Sequence, residues 1–326
     1  MASVPTVPIM QFRPGCILIY NQPLEYRHSD HPILDAMLRT SAAPPKYTGL
    51  LNAKSGQKLR FCVNLLVAQA KLKEAWHPTQ NRHFKFRINF ITLTLPAAQG
   101  ALHDKTLKKA CLDPWLTIMR RHFKLRSYVW RAERQFNGNL HFHITSDSWL
   151  PLEDIRSNWN HQLSKFHFIN EFRRSNPSAW PNSTDVHSVQ GIRNLAAYMV
   201  KYMSKSGKET LAHHNASRKK AGLPTMRPED HHFQKIKGQP AWNTPIDGKV
   251  WDCSKNLKTK ERAFLEMSAT DFDWVNAIKQ MCPDRVRILD NCTIINLSEQ
   301  ELKNSGWPKY HQTYRSWLDS VYAAAS

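Results

Sequence analysis

The chain has 326 residues, 41% of them apolar, which is enough to bury a sizeable core in one large or two modest domains. Lys and Arg outnumber Asp and Glu by 46 to 26, and the formal net charge of +20 is spread along the sequence. This composition excludes a disordered protein. The charge favours either a polyanionic partner or a solvated basic surface.

Several protein classes are not indicated by the sequence. The six cysteines form no Cys-x-x-Cys pair, which is typical of ordinary thiols in a reducing compartment, so we expect a cytoplasmic protein. The sequence contains no secretory apolar region and no apolar run of about 20 residues, so neither export nor membrane contact is expected. It also lacks the Gly-x-x-x-x-Gly-Lys-Ser/Thr loop of ATPases.

The first part of the chain is predicted to be an irregular arm followed by a basic helix. Residues 1–56 are rich in Pro, Ser and Gly and predict a loosely ordered N-terminal arm. The apolar spacing over 57–76 predicts an amphipathic helix. Between Lys46 and Arg87 nine cations oppose one acid, a net charge of 9 − 1 = +8. This basic face could contact a phosphate backbone or simply be solvated.

The middle of the chain predicts strands and a helix. The β-branched and aromatic run 86–95 predicts a central strand, and 105–122 predicts a helix with one apolar side. The alternating segments 128–136 and 140–144, separated by the turn residues 137–139, predict a hairpin.

Two histidines on the second hairpin strand are candidate metal ligands. The period of two places His141 and His143 on one face, opposite the apolar residues of the same strand. A three-residue turn would pair position 133 with 143 and position 135 with 141, which brings Glu133 beside the imidazoles; a two-residue turn would turn it away. Two imidazoles and one carboxylate suit Mg²⁺ or Mn²⁺, so we predict the first register.

A second candidate site is a helix that carries Tyr198, Lys201, Tyr202 and Lys205 and ends near Ser206-Gly207. The two phenols lie one turn apart, and a tyrosine can attack a phosphodiester. The alternative is a pair of half-buried structural tyrosines.

Weaker candidates surround these two motifs. Asp185 and His187 precede the tyrosine helix and could contact the metal or cap a turn, with the structural role favoured. Trp159, Trp180 and Trp251 could stack on bases, although burial is the expected fate of each. Apolar spacings in 265–326 predict a small helical tail.

The motifs resemble, in order, those of the HUH endonucleases, and specifically the two-tyrosine rolling-circle replication initiators of small plasmids and phages. Phe90-Ile-Thr-Leu-Thr94 resembles the first family motif, His141-Phe-His143 the second and Tyr198-x-x-Lys201-Tyr202-x-x-Lys205 the third, while Glu133 stands where some relatives have a third metal ligand. The resemblance covers roughly 57–260. It implies an α+β fold with a central antiparallel sheet flanked by helices, like that of HUH and RNA-recognition-like domains, with extra helical N- and C-terminal segments. The nicking domain would span 57–264.

The resemblance also implies a metal-dependent, site-specific nicking and closing reaction. Tyr198 would attack single-stranded origin DNA and form a 5′-phosphotyrosine, and Tyr202 would act after a round of synthesis. The expected cofactor is Mg²⁺ or Mn²⁺, held by His141, His143 and Glu133, with Lys201 assisting. A host helicase and DNA polymerase are expected partners, since the chain has no ATPase loop.

Three other functions remain as alternatives. An HUH single-strand DNA transposase would use the same chemistry on different DNA ends. A two-histidine phosphoesterase needs two His-x-Thr/Ser strands, and only His143-Ile-Thr145 lies in a strand-like context. A non-enzymatic nucleic-acid-binding protein would leave the tyrosine and lysine helix unexplained.

Overall fold

The computed structural model is α+β, with antiparallel sheets flanked by helices, which confirms the predicted fold class. The structure describes residues 5–23, 49–77, 81–135, 137–189, 244–258 and 263–323, with short stretches between 215 and 240. Two compact units divide the chain: one comprises 47–258, and the other combines 1–46 with 259–326. Within the described ranges, no helix is both long and apolar enough to cross a bilayer.

The strands are β1 (Thr6–Arg13), β2 (Cys16–Pro23), β3 (Lys73–His77), β4 (Arg82–Phe86), β5 (Ile88–Leu93), β6 (Tyr128–Arg134), β7 (Leu140–Ser146), β8 (Thr184–Val189), β9 (Lys235–Ile236), β10 (Gln239–Pro240), β11 (Trp251–Cys253), β12 (Ala263–Glu266), β13 (Val286–Leu289) and β14 (Cys292–Ile295). The α-helices are α1 (Ala53–Gln69), α2 (Asp104–Leu107), α3 (Asp113–His122), α4 (Leu152–Ser164), α5 (Phe168–Ser175), α6 (Ala269–Met281), α7 (Glu299–Asn304) and α8 (Pro308–Ala323). A π-helical stretch, Lys108–Leu112, joins α2 to α3, so the predicted helix at 105–122 is confirmed.

The unit of residues 47–258 is built on a five-stranded antiparallel sheet with the order β11-β6-β7-β5-β8. On β7 the apolar residues Leu140, Phe142 and Ile144 are fully buried and alternate with the two histidines. They pack in a core with Trp115 of α3 and Trp159 of α4. Burial of this apolar face against helices leaves the opposite face of the sheet to carry polar chemistry.

The hairpin of β6 and β7 confirms the predicted face of Glu133 but not the predicted pairing. Glu133 lies opposite His141, whereas we expected it opposite His143. The pairing continues to Gln135, whose backbone N donates to Asn139 O (2.9 Å), so Asn139 lies outside the turn that we expected it to form. The side chain of Asn139 is also held in place, since it donates to Ala97 O (2.9 Å) and accepts from Gln99 N (2.8 Å). A shift of two residues preserves the face of every side chain, whereas a shift of one would have reversed it.

The basic helix and the first strands differ from their predicted bounds. The helix predicted over 57–76 is α1, which begins after the N-cap Asn52, whose Oδ1 accepts from Ser55 N, and ends at Gln69. The chain then turns extended at Ala70, and β3 pairs with β4 as a two-stranded ribbon. The strand predicted over 86–95 corresponds to β5, and Phe86 belongs to the ribbon instead.

The unit formed by both chain ends contains strands where an irregular arm and a helical tail were expected. Its sheet has the order β12-β1-β2-β14-β13, with β1 and β2 joined at the turn Pro14-Gly15, where Gly15 has φ +79°. The apolar spacings predicted to be helical in the tail lie in α6 and α8. Tyr310 of α8 contacts Phe12 of β1 and Trp274 of α6 at ring-centroid distances of 6.3 and 4.4 Å.

Asp271 is the buried polar centre of this unit. Its carboxylate accepts hydrogen bonds from Ser268 N (2.7 Å), Ser268 Oγ (2.6 Å), Lys309 Nζ (3.3 Å) and the Tyr310 hydroxyl. Burial opposes the ionised form, but these hydrogen bonds prevail and lower the pKa of Asp271 to about 2.

We expect Asp271→Asn to lower the free energy of unfolding of this unit by about 2 kcal/mol at neutral pH. Because the pKa of Asp271 is depressed, its contribution is complete above about pH 4 and is lost as the pH falls towards about 2. Urea unfolding at neutral and acidic pH measures both effects, with Asp273→Asn as the control because Asp273 is exposed. Equal unfolding midpoints for the two variants at neutral pH would contradict the prediction.

Candidate functional site

The histidine face of the central sheet gathers polar residues from neighbouring strands. His141 and His143 of β7 lie beside Glu133 and Arg131 of β6, which are their respective cross-strand partners. On the other side of β7, His143 pairs with Thr92 of β5. The strand register therefore places two imidazoles, a carboxylate and a guanidinium next to one another.

The imidazole of His143 is held on two sides. Its Nε2 lies 3.1 Å from Glu133 Oε2, and the ring of Phe90 stacks on it at 5.2 Å with an interplanar angle of 22°. The side chains of His143 and Glu133 are only 15% and 16% exposed. The ring centroid of His141 lies 4.4 Å from that of His143.

Both ring nitrogens of His141 are buried, and neither has a hydrogen-bond partner in the described part of the chain. Burial and the neighbouring His143 lower the pKa of His141 to about 3, against the opposing effect of Glu133. The ring is therefore neutral near pH 7, the state in which imidazole nitrogen binds a metal. A buried polar group without a partner also indicates a site that a ligand can complete.

The donor set fits a hard divalent cation. Neighbouring ligand atoms around octahedral Mg²⁺ lie about 3.0 Å apart when each ligand distance is about 2.1 Å. The observed separation of Glu133 Oε2 from His143 Nε2, 3.1 Å, is close to this value. Among the described residues, however, no three His, Cys, Asp or Glu side chains already form a metal-binding group.

Arg131 is a residue of this site that our sequence reasoning missed. It is 7% exposed, lies directly across from His143 and carries a positive charge at any physiological pH. This could have been inferred from the sequence, because residues 131 and 133 are two positions apart on one strand and so lie on the same face of it. Any register that places Glu133 beside the histidines also places Arg131 on their face.

Asp185 and His187 lie on the same sheet but away from the imidazoles. Asp185 of β8 pairs with Thr92 of β5, which in turn pairs with His143 of β7. Asp185 therefore lies two strand spacings, or about 10 Å, from His143. The two side chains are exposed and form an ion pair with each other, with His187 Nε2 2.7 Å from Asp185 Oδ2. In the structure they contact each other rather than the candidate metal ligands.

The segment that carries these features is also the part of the chain that matches the model of a protein family. Residues 88–207 match the family model of the replication-associated protein ORF2. The matched segment begins at β5 and contains the hairpin with Glu133, His141 and His143 as well as the predicted tyrosine motif. It is thus similar to replication-associated proteins, which is consistent with a rolling-circle initiator. No curated protein and no solved structure matches the chain.

The tyrosine motif within this ORF2-like segment lies outside the described residues. Tyr198, Lys201, Tyr202 and Lys205 therefore stay predictions. The last described residue before them, Val189, ends β8 opposite Ile88.

Helix α1 packs against the edge of the five-stranded sheet formed by β6 and β11. Trp251 Nε1 of β11 donates to Ser55 Oγ of α1 (2.6 Å), and the thiols of Cys62 and Cys253 lie 3.7 Å apart. Lys58 and Arg60 on the outer side of α1 are exposed. This helix is therefore amphipathic with a basic outer face, as predicted.

The three tryptophans considered as base-stacking residues have different environments. Trp159 is fully buried and donates to Thr94 O (2.8 Å), and Trp251 is half-buried. Trp180 is 69% exposed, so the expectation of burial is wrong for this residue.

Proposed function

We propose that this chain nicks single-stranded origin DNA and rejoins it through a 5′-phosphotyrosine, and so starts and ends rolling-circle replication. The observation that carries the proposal is the contact of Glu133 with His143, with His141 beside them. These groups lie on the polar face of an antiparallel sheet, in the segment that resembles replication-associated proteins. Mg²⁺ or Mn²⁺ held by the three side chains would polarise the scissile phosphodiester when bound.

Tyr198 is the proposed nucleophile. Its phenolic oxygen forms a bond to phosphorus, and the bond from phosphorus to the 3′ oxygen of the preceding nucleotide breaks. The phenolic proton is lost, and the 3′ oxygen gains a proton to leave as a free hydroxyl for a polymerase to extend. A free phenol has a pKa of about 10, so the attack requires a base or a cation near the hydroxyl. The negative charge on the phosphoryl oxygens requires a positive partner, and the metal, assisted by Lys201, is proposed for this role.

Tyr202 is the proposed second nucleophile. After one round of synthesis it attacks the regenerated junction, and the new 3′ hydroxyl then attacks the first phosphotyrosine to close the circle. Each step exchanges one phosphodiester for another, so closing requires no ATP. A host helicase and DNA polymerase are proposed partners, since duplex unwinding and synthesis need activities for which the sequence has no motif.

The chain length permits the tyrosines to reach the imidazoles. Val189 lies nine residues before Tyr198, and nine extended residues span roughly 30 Å. Asp185 of β8 lies in the same row of the sheet as His143. It precedes Val189 by four residues, a distance of about 14 Å along the strand. The connecting segment is therefore long enough to return the tyrosine motif over the histidine face.

The decisive experiment is the capture of a covalent complex. The protein is incubated with Mn²⁺ and a labelled pool of single-stranded DNA, and denatured adducts are isolated, sequenced and mapped by peptide mass spectrometry. We expect one adduct peptide containing Tyr198. A transposase would be distinguished by captured DNA that corresponds to element ends rather than a replication origin. Sequence-specific binding without an adduct would instead indicate a non-enzymatic nucleic-acid-binding protein.

Arg131 supplies a further test of this reaction. Arg131 is buried and lies across from His143 in the strand register, and its proposed role is to stabilise negative charge on the phosphoryl oxygens. We expect Arg131→Gln to slow nicking at saturating DNA by about a hundredfold, and Arg131→Lys to recover part of the rate. Single-turnover nicking measures the effect, with the exposed Arg126→Gln as a control for lost charge and thermal unfolding as a check on folding. Equal rates for Arg126→Gln and Arg131→Gln would contradict this role.

A further inference from the structure

Trp180 presents a large aromatic face to solvent. It is 69% exposed, and the guanidinium carbon of Arg173 lies 5.4 Å from the centroid of its ring. A guanidinium stacked on an indole is a cation–π pair that orients the ring and adds positive charge beside it. The described surface thus has an aromatic ring and a cation already arranged together.

The loop that carries Trp180 is anchored by buried side chains. Asn160 of α4 donates to Pro181 O (3.3 Å) and accepts from Ser183 Oγ (2.5 Å). Both Asn160 and Ser183 are buried. Asn182, which lies between Pro181 and Ser183, accepts a hydrogen bond from Arg156 Nη2 (2.7 Å). A ring held on an anchored loop binds a ligand with little additional loss of conformational entropy.

This loop leads directly to the row of the sheet that contains His141. Thr94 donates from both its backbone N (2.8 Å) and its Oγ1 (2.9 Å) to Ser183 O. Thr94 follows Leu93, the partner of Phe142, so it stands beside His141 in the register. The path from Trp180 to His141 consists of three residues along the chain, as far as Ser183, and two strand spacings across the sheet. The two residues are therefore at most about 20 Å apart. Trp180 lies beside helices that pack on the opposite face of the sheet, however, so a DNA strand that reaches both residues must pass the edge formed by β8.

The cation–π pair at Trp180 suits a nucleic acid. The two helices that flank the loop carry three cations, Arg156, Arg173 and Arg174, and three acids, Glu153, Asp154 and Glu171, of which Glu171 pairs with Arg174 at 2.6 Å. Arg173, whose guanidinium lies over the ring, is the cation that adjoins Trp180. An unpaired base offers a flat face for stacking, whereas the bases of a duplex are already stacked on each other. A single strand thus supplies both the ring and the phosphates that this surface can bind.

We propose that Trp180 and Arg173 form a stacking site for one unpaired base of the single-stranded DNA that leads to the nick site. This inference rests on the proposed function for the identity of the DNA. It adds a binding residue that positions the strand before reaction and takes no part in bond breaking.

The test compares Trp180→Ala and Trp180→Phe with Trp76→Ala, an exposed tryptophan on the β3–β4 ribbon. Fluorescence anisotropy with labelled single-stranded DNA measures affinity, and duplex DNA of the same sequence serves as a second probe. We expect Trp180→Ala to bind the single strand at least about fivefold more weakly, Trp180→Phe to lose less, and Trp76→Ala and duplex binding to change little. Unchanged single-strand affinity, or an equal loss for duplex DNA, would overturn the stacking site.

A second measurement locates the stacked base. Single abasic sites are scanned along the strand, and one position should weaken binding to the wild type but not to Trp180→Ala. If no position shows this coupling, the proposal is wrong. Adduct formation separates the two proposals: when nicking occurs, Trp180→Ala should require a higher DNA concentration than Trp76→Ala to reach half of its maximal adduct yield. If wild-type protein forms no adduct but shows the coupling, the nicking function fails and the stacking site stands.

Discussion

Replacement of Tyr198 by Phe is expected to abolish the covalent adduct and to lower nicking by more than about a thousandfold. The substitution removes one oxygen atom, the proposed nucleophile, and leaves a ring of nearly the same size. Tyr202→Phe should still form the first adduct but should fail to release closed circles, since its hydroxyl acts only after synthesis. Denaturing electrophoresis of labelled single-stranded DNA measures the first product, and a plasmid replication assay measures the second.

The controls distinguish a chemical role from a folding defect. Tyr20→Phe removes the same atom from a tyrosine of the unit formed by the chain ends and should retain full activity. Full replication by Tyr202→Phe, together with loss of nicking by Tyr198→Phe, would disprove the two-tyrosine scheme while leaving a one-tyrosine reaction. Adduct formation by Tyr198→Phe would refute the assignment of the nucleophile itself.

Loss of either histidine of β7 should remove the metal site. We expect His141→Ala and His143→Ala to lose Mn²⁺ binding and to lower metal-dependent nicking by at least about a hundredfold, because a bound cation contributes several kcal/mol to charge stabilisation. Glu133→Gln keeps the shape of the side chain but removes its charge, so we expect at least about tenfold weaker Mn²⁺ binding. Electron paramagnetic resonance of free Mn²⁺ measures affinity without any DNA.

The matched control lies on the same sheet. His187 is an imidazole on β8 whose side chain is 67% exposed and paired with Asp185. His187→Ala should therefore bind Mn²⁺ and nick DNA as the wild type does. If His141→Ala and His143→Ala bind Mn²⁺ with wild-type affinity, the assignment of the metal site is wrong even when nicking is lost.

Much of the candidate site followed from short-range patterns. Alternation along 140–146 was enough to place His141 and His143 opposite Leu140, Phe142 and Ile144, and the structure has this arrangement. Glu133 was predicted to lie on the histidine face because metal chemistry favours a carboxylate beside two imidazoles, and the pairing of β6 with β7 has the parity that this requires. The first inference depends only on the period of two of an extended backbone, whereas the second also depended on the choice of turn length.

The pairing within the hairpin was not accessible in this way. The turn residues predicted a connection made of Asn137 to Asn139, but Asn139 pairs with Gln135 instead, and its side chain is held by Ala97 and Gln99, about 40 residues earlier in the chain. A local turn preference is worth little against several hydrogen bonds to a distant segment. The unit of the two chain ends was missed for the same reason, since β1 pairs with β12 across some 250 residues.

By itself, the sequence determined the α+β class, the apolar and polar faces of the central hairpin, the carboxylate beside the imidazoles and the amphipathic character of the basic helix. Only the tertiary structure decided the exact register, the presence of Arg131 beside His143, the common sheet of the two chain ends and the exposure of Trp180. The physical reason is the range of the interactions involved. Backbone periodicity acts between neighbours in sequence, whereas register, burial and exposure are set by packing between residues that meet only in the folded chain.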